Sequence, residues 1–300
     1  MGLLAALFTA LSKFGMITND PSGKPAIRFF LNDLDGRKEQ GERAEDKGPS
    51  RFIPSWPYAV HNTGLVIKVL RAGSGEALLV VADGYSLLLG AGSGAWQVGA
   101  QLSLCGVRRL QAAVALSTEE AHLGGMPYVA RAHAPSYLFY PPMQTNSLAL
   151  EKTKPLLAEG AMYPAALGMS FNLGRAVVTF IGPAHTGHVD PRDDGLSLRI
   201  DYETTTALVL GNITSGAEQE LLEAGLLPKA DVLICANGGD ETATSAGCIA
   251  AVRPKIAVCT GNADWKVKAR LEQVGADVYT TQENGVITLY TAGDQWKVFP

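Results

Sequence analysis

Apolar residues recur along this chain in short blocks separated by glycine-rich turns. Residues 64–70 (GLVIKVL), 76–82 (EALLVVA) and 85–92 (YSLLLGAG) have the length and composition of buried strands. The Asp83-Gly84 pair between the last two predicts a tight hairpin. Residues 94–107 are a helix candidate, and AVALS (113–117) reads as a further buried strand. The Pro-rich middle is less regular. There YVARAHAPSYLFYPP predicts a short strand among turns, and LEKTKPLLAEG a helix broken at Pro155. The second half repeats the style of the first. Strands are expected at 176–182, 196–202, 206–212, 230–236, 255–261, 277–281 and 285–291, with helices at 216–225 and 264–275. Strand pairs followed by strand–helix units, twice over, predict an α/β fold in which two mixed sheets pack face to face with helices outside.

The pattern changes towards the N-terminus. Leu3, Leu4, Leu7, Phe8, Leu11 and Phe14 fall on one helical face, which predicts a short helix docked on the domain or on another subunit. Residues 31–50 are dense in charge and contain three glycines and a proline, the composition of an exposed linker. The expected division is an N-terminal helix and charged linker over 1–54 and one α/β domain over 55–300.

Composition narrows the function classes. The chain has 300 residues, 47% of them hydrophobic and 18% charged, as a packed globular protein requires. A net charge of −4 does not favour a nucleic-acid partner, although a local basic patch would still allow one. No apolar run approaches the ~20 residues of a spanning helix, so no transmembrane segment is expected. Cys105, Cys235, Cys248 and Cys259 lie in apolar contexts without C-x-x-C spacing and read as buried free thiols. They fit a reducing compartment, which points to the cytoplasm, with a membrane-peripheral or exported location as the alternative.

The candidate chemistry begins at AVALSTEEAHLGGM (113–126), where an apolar strand runs into a polar turn ending in His122-Leu-Gly-Gly125. Around it stand Gly73-Ser-Gly-Glu76, Leu89-Gly-Ala-Gly92, Ile181-Gly-Pro183, residues 194–199 (DGLSLR), Leu210-Gly-Asn212, Glu218 with Leu221 and Leu222, residues 234–239 (ICANGG) and the stretch from Arg270 through Ile287. In order and spacing these pieces resemble the metallo-β-lactamase superfamily, and within it the C-terminal hydrolase-like domain of the competence protein ComEC, over roughly residues 64–298. The resemblance implies an αββα sandwich and a hydrolase with a dinuclear zinc site. In that alignment the metal-ligand positions hold Ser117, Glu119, Ala121, His122, Asn212, Ala236 and Asn237, and only His122 is a good zinc ligand. The candidate cleft is therefore Ser117, Glu119, His122, Asp194, Asn212 and Asn237. The expected function is a non-catalytic binding or interaction domain for an unknown protein or small-molecule ligand, with no cofactor.

Two alternatives stay open. The first is a divergent metal-dependent hydrolase acting on phosphodiesters or esters, with one zinc or manganese ion. Its ligands would come from His122, His185, His188 and Asp190, since His185-Thr-Gly-His188 resembles the G-H-T-x-G-H turn of glyoxalase-type relatives. The second is a non-cleaving DNA-binding relative of DNA-uptake machinery. His61 and His133 read as structural or surface residues. No G-x-S-x-G elbow or Walker loop is present, and the glycines of 90–96 read as a loop beside the cleft.

Overall fold

The computed structural model describes residues 63–94, 96–142 and 147–300, and the backbone of two strands nearer the N-terminus, β1 (Ile17–Asn19) and β2 (Pro25–Phe30). The helix expected on residues 3–14 and the linker expected over 31–50 lie outside the described residues, as does His61.

The first half of the described chain builds one sheet from β3 (Leu65–Val69), β4 (Leu78–Ala82), β5 (Tyr85–Leu89), β6 (Ala112–Val114), β7 (Tyr137–Tyr140) and β8 (Met162–Pro164). The second sheet contains β9 (Ser170–Leu173), β10 (Ala176–Gly182), β11 (Ser197–Tyr202), β12 (Thr205–Val209), β13 (Val232–Ile234), β14 (Ile256–Cys259) and β15 (Asp277–Thr280). The chain then returns to the first sheet as β16 (Ile287–Thr291) and β17 (Trp296–Phe299). The strand orders are β17-β16-β3-β4-β5-β6-β7-β8 and β1-β2-β9-β10-β11-β12-β13-β14-β15. Each half has the same plan. Hairpin strands pair antiparallel up to β5 and β12, and the strands beyond them pair parallel. The parallel crossovers carry the helices, because parallel neighbours need a long connection.

On one face of the first sheet lie α1 (Gln97–Leu104), α2 (Glu120–Leu123), α3 (Met126–His133) and α4 (Leu148–Thr153). The second sheet is covered by α5 (Ser215–Glu223), α6 (Ala246–Val252) and α7 (Trp265–Gln273), and the short α8 (Thr281–Asn284) follows β15. The apolar residues accordingly fall into three layers. Ile67, Val80, Leu89, Val178, Ile200 and Val209 pack between the sheets, with Phe139 stacked on Phe171 at 5.0 Å between ring centres. Leu79, Leu88, Leu102 and Val129 form the outer layer of the first sheet, and Leu208, Leu233, Ile249 and Leu271 that of the second. This is an α/β fold of two mixed sheets flanked by helices, as the alternation of apolar blocks predicts. Among the described residues, no helix is long and apolar enough to cross a membrane.

Several elements differ from expectation. In the segment 128–142 the expected short strand forms as β7, but residues up to His133 belong to the helix α3 rather than to a turn. Pro127 stands in the first turn of α3, where its missing N–H costs nothing. The helix expected over 94–107 is shorter, Gln97–Leu104. In the segment around Pro155, α4 ends at Thr153 and a 3₁₀ turn (Lys154–Leu156) takes the proline near its start. Strands β8, β9 and β17 are short and were hidden among polar and Pro-rich residues. The Asp83-Gly84 hairpin forms, with both residues at positive φ (49° and 88°). Cys235, Cys248 and Cys259 are buried free thiols, and Cys105 is half-buried and also free.

Candidate functional site

Strands β5, β6, β10, β12, β13 and β14 all direct their C-terminal ends to one end of the sandwich, and the loops that follow carry the candidate residues. The chain from β6 leads through Ser117, whose Oγ accepts a hydrogen bond from the Glu119 amide (3.2 Å), and into α2, which holds His122. This turn is pinned to the loop after β5 by backbone bonds from Ala91 N to His122 O (2.9 Å) and from Gly125 N to Gly92 O (2.9 Å). A Cβ on Gly125 would stand 2.3 Å from Ala91 O, and one on Gly75 would stand 2.1 Å from Ala121 O. Glycine is needed at both positions because backbones meet there.

From the second sheet, β12 delivers Asn212 and β13 delivers Asn237. The Asn212 side-chain amide donates to Glu119 Oε2 at 2.6 Å, so two candidate residues from the two halves of the sandwich engage each other. Asn237 takes a left-handed backbone (φ 45°, ψ 42°), which Asn tolerates better than most residues, and its N–H donates to Gly211 O at 2.7 Å.

Beside this pairing opens a cleft of about 990 Å³. Arg71, Trp96 and Gln101 line one side, and Asn237, Thr260 and Gln282 the other. Two buried titratable groups belong to its lining. His122 is 6% exposed and its Nδ1 has no hydrogen-bond partner. Burial lowers its pKa to about 4, against a smaller opposing pull from Asn212, so the imidazole is neutral at neutral pH. Glu76 is 1% exposed, and neither carboxyl oxygen meets a donor in hydrogen-bonding geometry. Burial raises its pKa to about 8, and the neighbouring Gly238 backbone and Thr260 side chain only temper that rise. At neutral pH Glu76 therefore carries its proton.

The remaining candidates gather elsewhere. The loop after β10 holds His185 and His188 above α5. His188 is largely buried, with Nδ1 2.9 Å from Asp194 Oδ1 and Nε2 2.9 Å from Glu220 Oε2. His185 is exposed, and its Nδ1 lies 3.2 Å from the same Glu220 oxygen. Burial alone would lower the pKa of His188, but its bonds to Glu220 and Asp194 and the charges of both carboxylates more than offset this and raise it. Asp194 thus belongs with His188 and with the Gly187 amide (2.8 Å), not with the cleft. His122 and Asp190 do not join this group. Asp190 instead caps the 3₁₀ turn Pro191–Asp194 and forms an ion pair with Arg192 at 2.6 Å, which holds its carboxyl below the usual range. His133 is structural, its two ring nitrogens 3.1 and 3.0 Å from the Val107 and Gly99 carbonyls.

Sequence reasoning overlooked Glu76 and Glu220 as functional candidates. Glu76 stands in the Gly73-Ser-Gly-Glu76 turn, where a carboxylate directly before an apolar strand is itself a signal. Glu220 shares α5 with Glu218, which is buried and accepts from the Thr244 and Ser245 amides at 2.5 and 2.7 Å. A two-residue step on a helix turns the side chain well around the axis, so one acid is spent on structure and the other is presented at the surface.

No protein-family model matches the sequence, and no curated protein is recognisably similar to it. Among solved structures, the fold is similar to that of YhfI, a metallo-β-lactamase-fold protein from Bacillus subtilis (12% identity, 73% of this chain and 98% of that one, TM-score 0.48). It is also similar to the metallo-β-lactamase SMB-1 (14% identity, 70% and 93% covered, TM-score 0.44). A third similar structure is a diphosphatase of the PhnP family (12% identity, 65% and 85% covered, TM-score 0.41).

Proposed function

We propose that this chain is a metallo-β-lactamase-like domain that binds a small molecule in the cleft beside His122 without catalysing hydrolysis there. The observation that carries this reading is the 2.6 Å bond from the Asn212 amide to Glu119. In the resembled family these positions serve a dinuclear metal centre. Here an amide that cannot bridge two cations donates to Glu119, the one carboxylate of the set, and His122 is its single imidazole. Such a donor set does not fit a dinuclear centre, which needs several imidazoles and carboxylates with an open position for water.

The cleft suits a different task. Its lining carries one cation, Arg71, and one acid, Glu76, which is protonated at neutral pH. The rest of its polar surface is made of neutral hydrogen-bonding groups, with Trp96 exposed at the side. This chemistry fits a small polar ligand bearing at most one negative charge. The ComEC-like relationship is part of the same proposal, with the uptake-type nuclease activity absent.

The test is elemental analysis of the purified chain beside its His122→Ala variant. The expected result is that the substitution leaves metal content unchanged. Metal bound by the wild type and lost from His122→Ala would overturn the reading and restore a remodelled hydrolase site.

A further inference from the structure

Among the described residues, one group of three metal-competent side chains converges, and it lies outside the cleft: His185, His188 and Glu220, whose ligand atoms are all within 4.8 Å of one another. We propose that this trio is a mononuclear site for a divalent transition-metal ion of the zinc type, built on the outer surface of the second sheet and independent of the cleft.

The arrangement of His188 points to a cation. Asp194 is 5% exposed, and its Oδ1 lies 2.9 Å from His188 Nδ1. A buried carboxylate there holds a proton on Nδ1, the arrangement that turns Nε2 of a histidine towards a metal. Nε2 faces Glu220 Oε2 at 2.9 Å. In the metal-free protein a second ring proton answers this contact, and a divalent cation shared by Nε2 and the carboxylate would take that proton's place. The same Glu220 oxygen is also 3.2 Å from Nδ1 of His185, whose ring packs against that of His188 at 4.1 Å between centres. One divalent ion answers both imidazoles and the carboxylate at once. Asp194 then plays the part of a second-shell carboxylate, which orients a ligating histidine and raises its basicity. Two imidazoles and one carboxylate suit zinc and its neighbours rather than magnesium or calcium. The exposure of His185 leaves room for water to complete the coordination.

The backbone supports the same placement. Asp194 also accepts from the Gly187 amide at 2.8 Å, tying the histidine loop to the 3₁₀ turn behind it. Glu220 comes from the middle of α5, a rigid element whose start is capped by the Thr214 side chain. Two ligands are therefore held before any ion arrives, and His185 is the exposed third.

The experiment is equilibrium dialysis of the metal-stripped full chain against Zn²⁺, with Co²⁺ absorption in the visible as a second readout. One ion per chain is expected, with Co²⁺ bands showing nitrogen ligation. Glu220→Gln and His185→Ala change exposed or half-exposed side chains and leave the core intact. Each is expected to weaken binding by at least about tenfold, and Asp194→Asn by about 10–100-fold, the usual range for a second-shell partner. His122→Ala is expected to bind as the wild type does. Absence of saturable Zn²⁺ binding, or binding that survives the Glu220→Gln/His185→Ala double variant, overturns the site and means that His188 is held by protons alone. Either result leaves the reading of the cleft untouched. Binding lost in His122→Ala overturns both.

Discussion

The two ends of the sandwich solve the same problem in opposite ways. Both must bring the hairpin turns of two sheets together over a shared apolar core. At the end away from the candidate residues, Asp83 of the β4–β5 turn meets Arg175 of the β9–β10 turn and Tyr202 at the end of β11. Asp83 accepts from the Arg175 amide (2.8 Å), its guanidinium (3.0 and 3.1 Å), the Tyr202 hydroxyl (3.0 Å) and the Gly64 amide (3.3 Å). Arg175 also pairs with Glu203 at 2.9 Å, lies over the Tyr202 ring and contacts its hydroxyl. Burial works against the charge of Asp83, yet these bonds lower its pKa to about 2. At the cleft end, Glu76 and His122 are more deeply buried, and both Glu76 carboxyl oxygens and the His122 Nδ1 are left without a partner. One end stores charge that is fully answered, and the other stores polar groups in their neutral forms. Polar atoms left unanswered beside a cleft are available to a ligand, whereas answered ones are available only to the fold.

The largest way to break this contrast is Glu76→Gln. The folded protein keeps the Glu76 proton up to pH about 8, whereas the unfolded chain releases it near its ordinary value of 4.5. Stability attributable to this group therefore falls as pH rises from about 4.5 to 8, by up to roughly 5 kcal/mol. The glutamine variant loses that dependence and is the more stable protein at pH 8.5. Urea titrations of both proteins from pH 5 to 9 check this, and parallel profiles would refute it.

The same variant exposes the His122 contribution. His122 titrates near 4 in the folded protein against 6.5 ordinarily, so the stability it confers is complete above 6.5 and is lost as pH falls towards 4. The loss is roughly 3 kcal/mol. In the wild type the rising Glu76 contribution opposes it between 4.5 and 6.5 and keeps the profile nearly level. In Glu76→Gln the acid-side decline stands alone, measurable by thermal melts across that window.

At the other end, Asp83→Ala is expected to cost about 1–3 kcal/mol, because it strips the Tyr202 hydroxyl and the Arg175 amide of their acceptor. Denaturant midpoints at pH 7 measure it, and a change within error would mean that the clamp is ornamental. Glu203→Gln removes only a half-exposed ion pair and should change stability by less than about 0.5 kcal/mol. A larger loss would show that the cluster acts as a cooperative network.

Much of the sandwich was legible in the sequence because its signals are local. Strands β3 to β5 are continuous apolar runs, and Asp83-Gly84 marks their hairpin. The helix α3 was not legible, since its proline resembles a breaker until its place in the first turn is known. The pairing of Glu119 with Asn212 was half visible: both positions stood out, but a hydrogen bond across 93 residues needs the packed sheets to form. The company kept by His188 was not visible either. Asp194 lies close in sequence, but Glu220 reaches it only because α5 packs beneath the loop after β10. Glu76 was read as scaffold: its place before an apolar strand hints at burial, but the lack of donors around its oxygens is set by the packed fold.

The order of strands also bears on how the chain comes off the ribosome. β3 is made first among the strands of its sheet, yet its outer neighbour is β16, paired from Ile287↔Val69 to Thr291↔Leu65. Until that late strand emerges, Leu65, Ile67 and Val69 stand on an open edge with bare amides and carbonyls, a template for pairing with another chain. The first half of the domain is thus unable to close itself. A nascent chain must keep this edge from neighbours while the whole second sheet is synthesised, which makes the protein dependent on slow, long-range closure and on whatever shields it in the meantime.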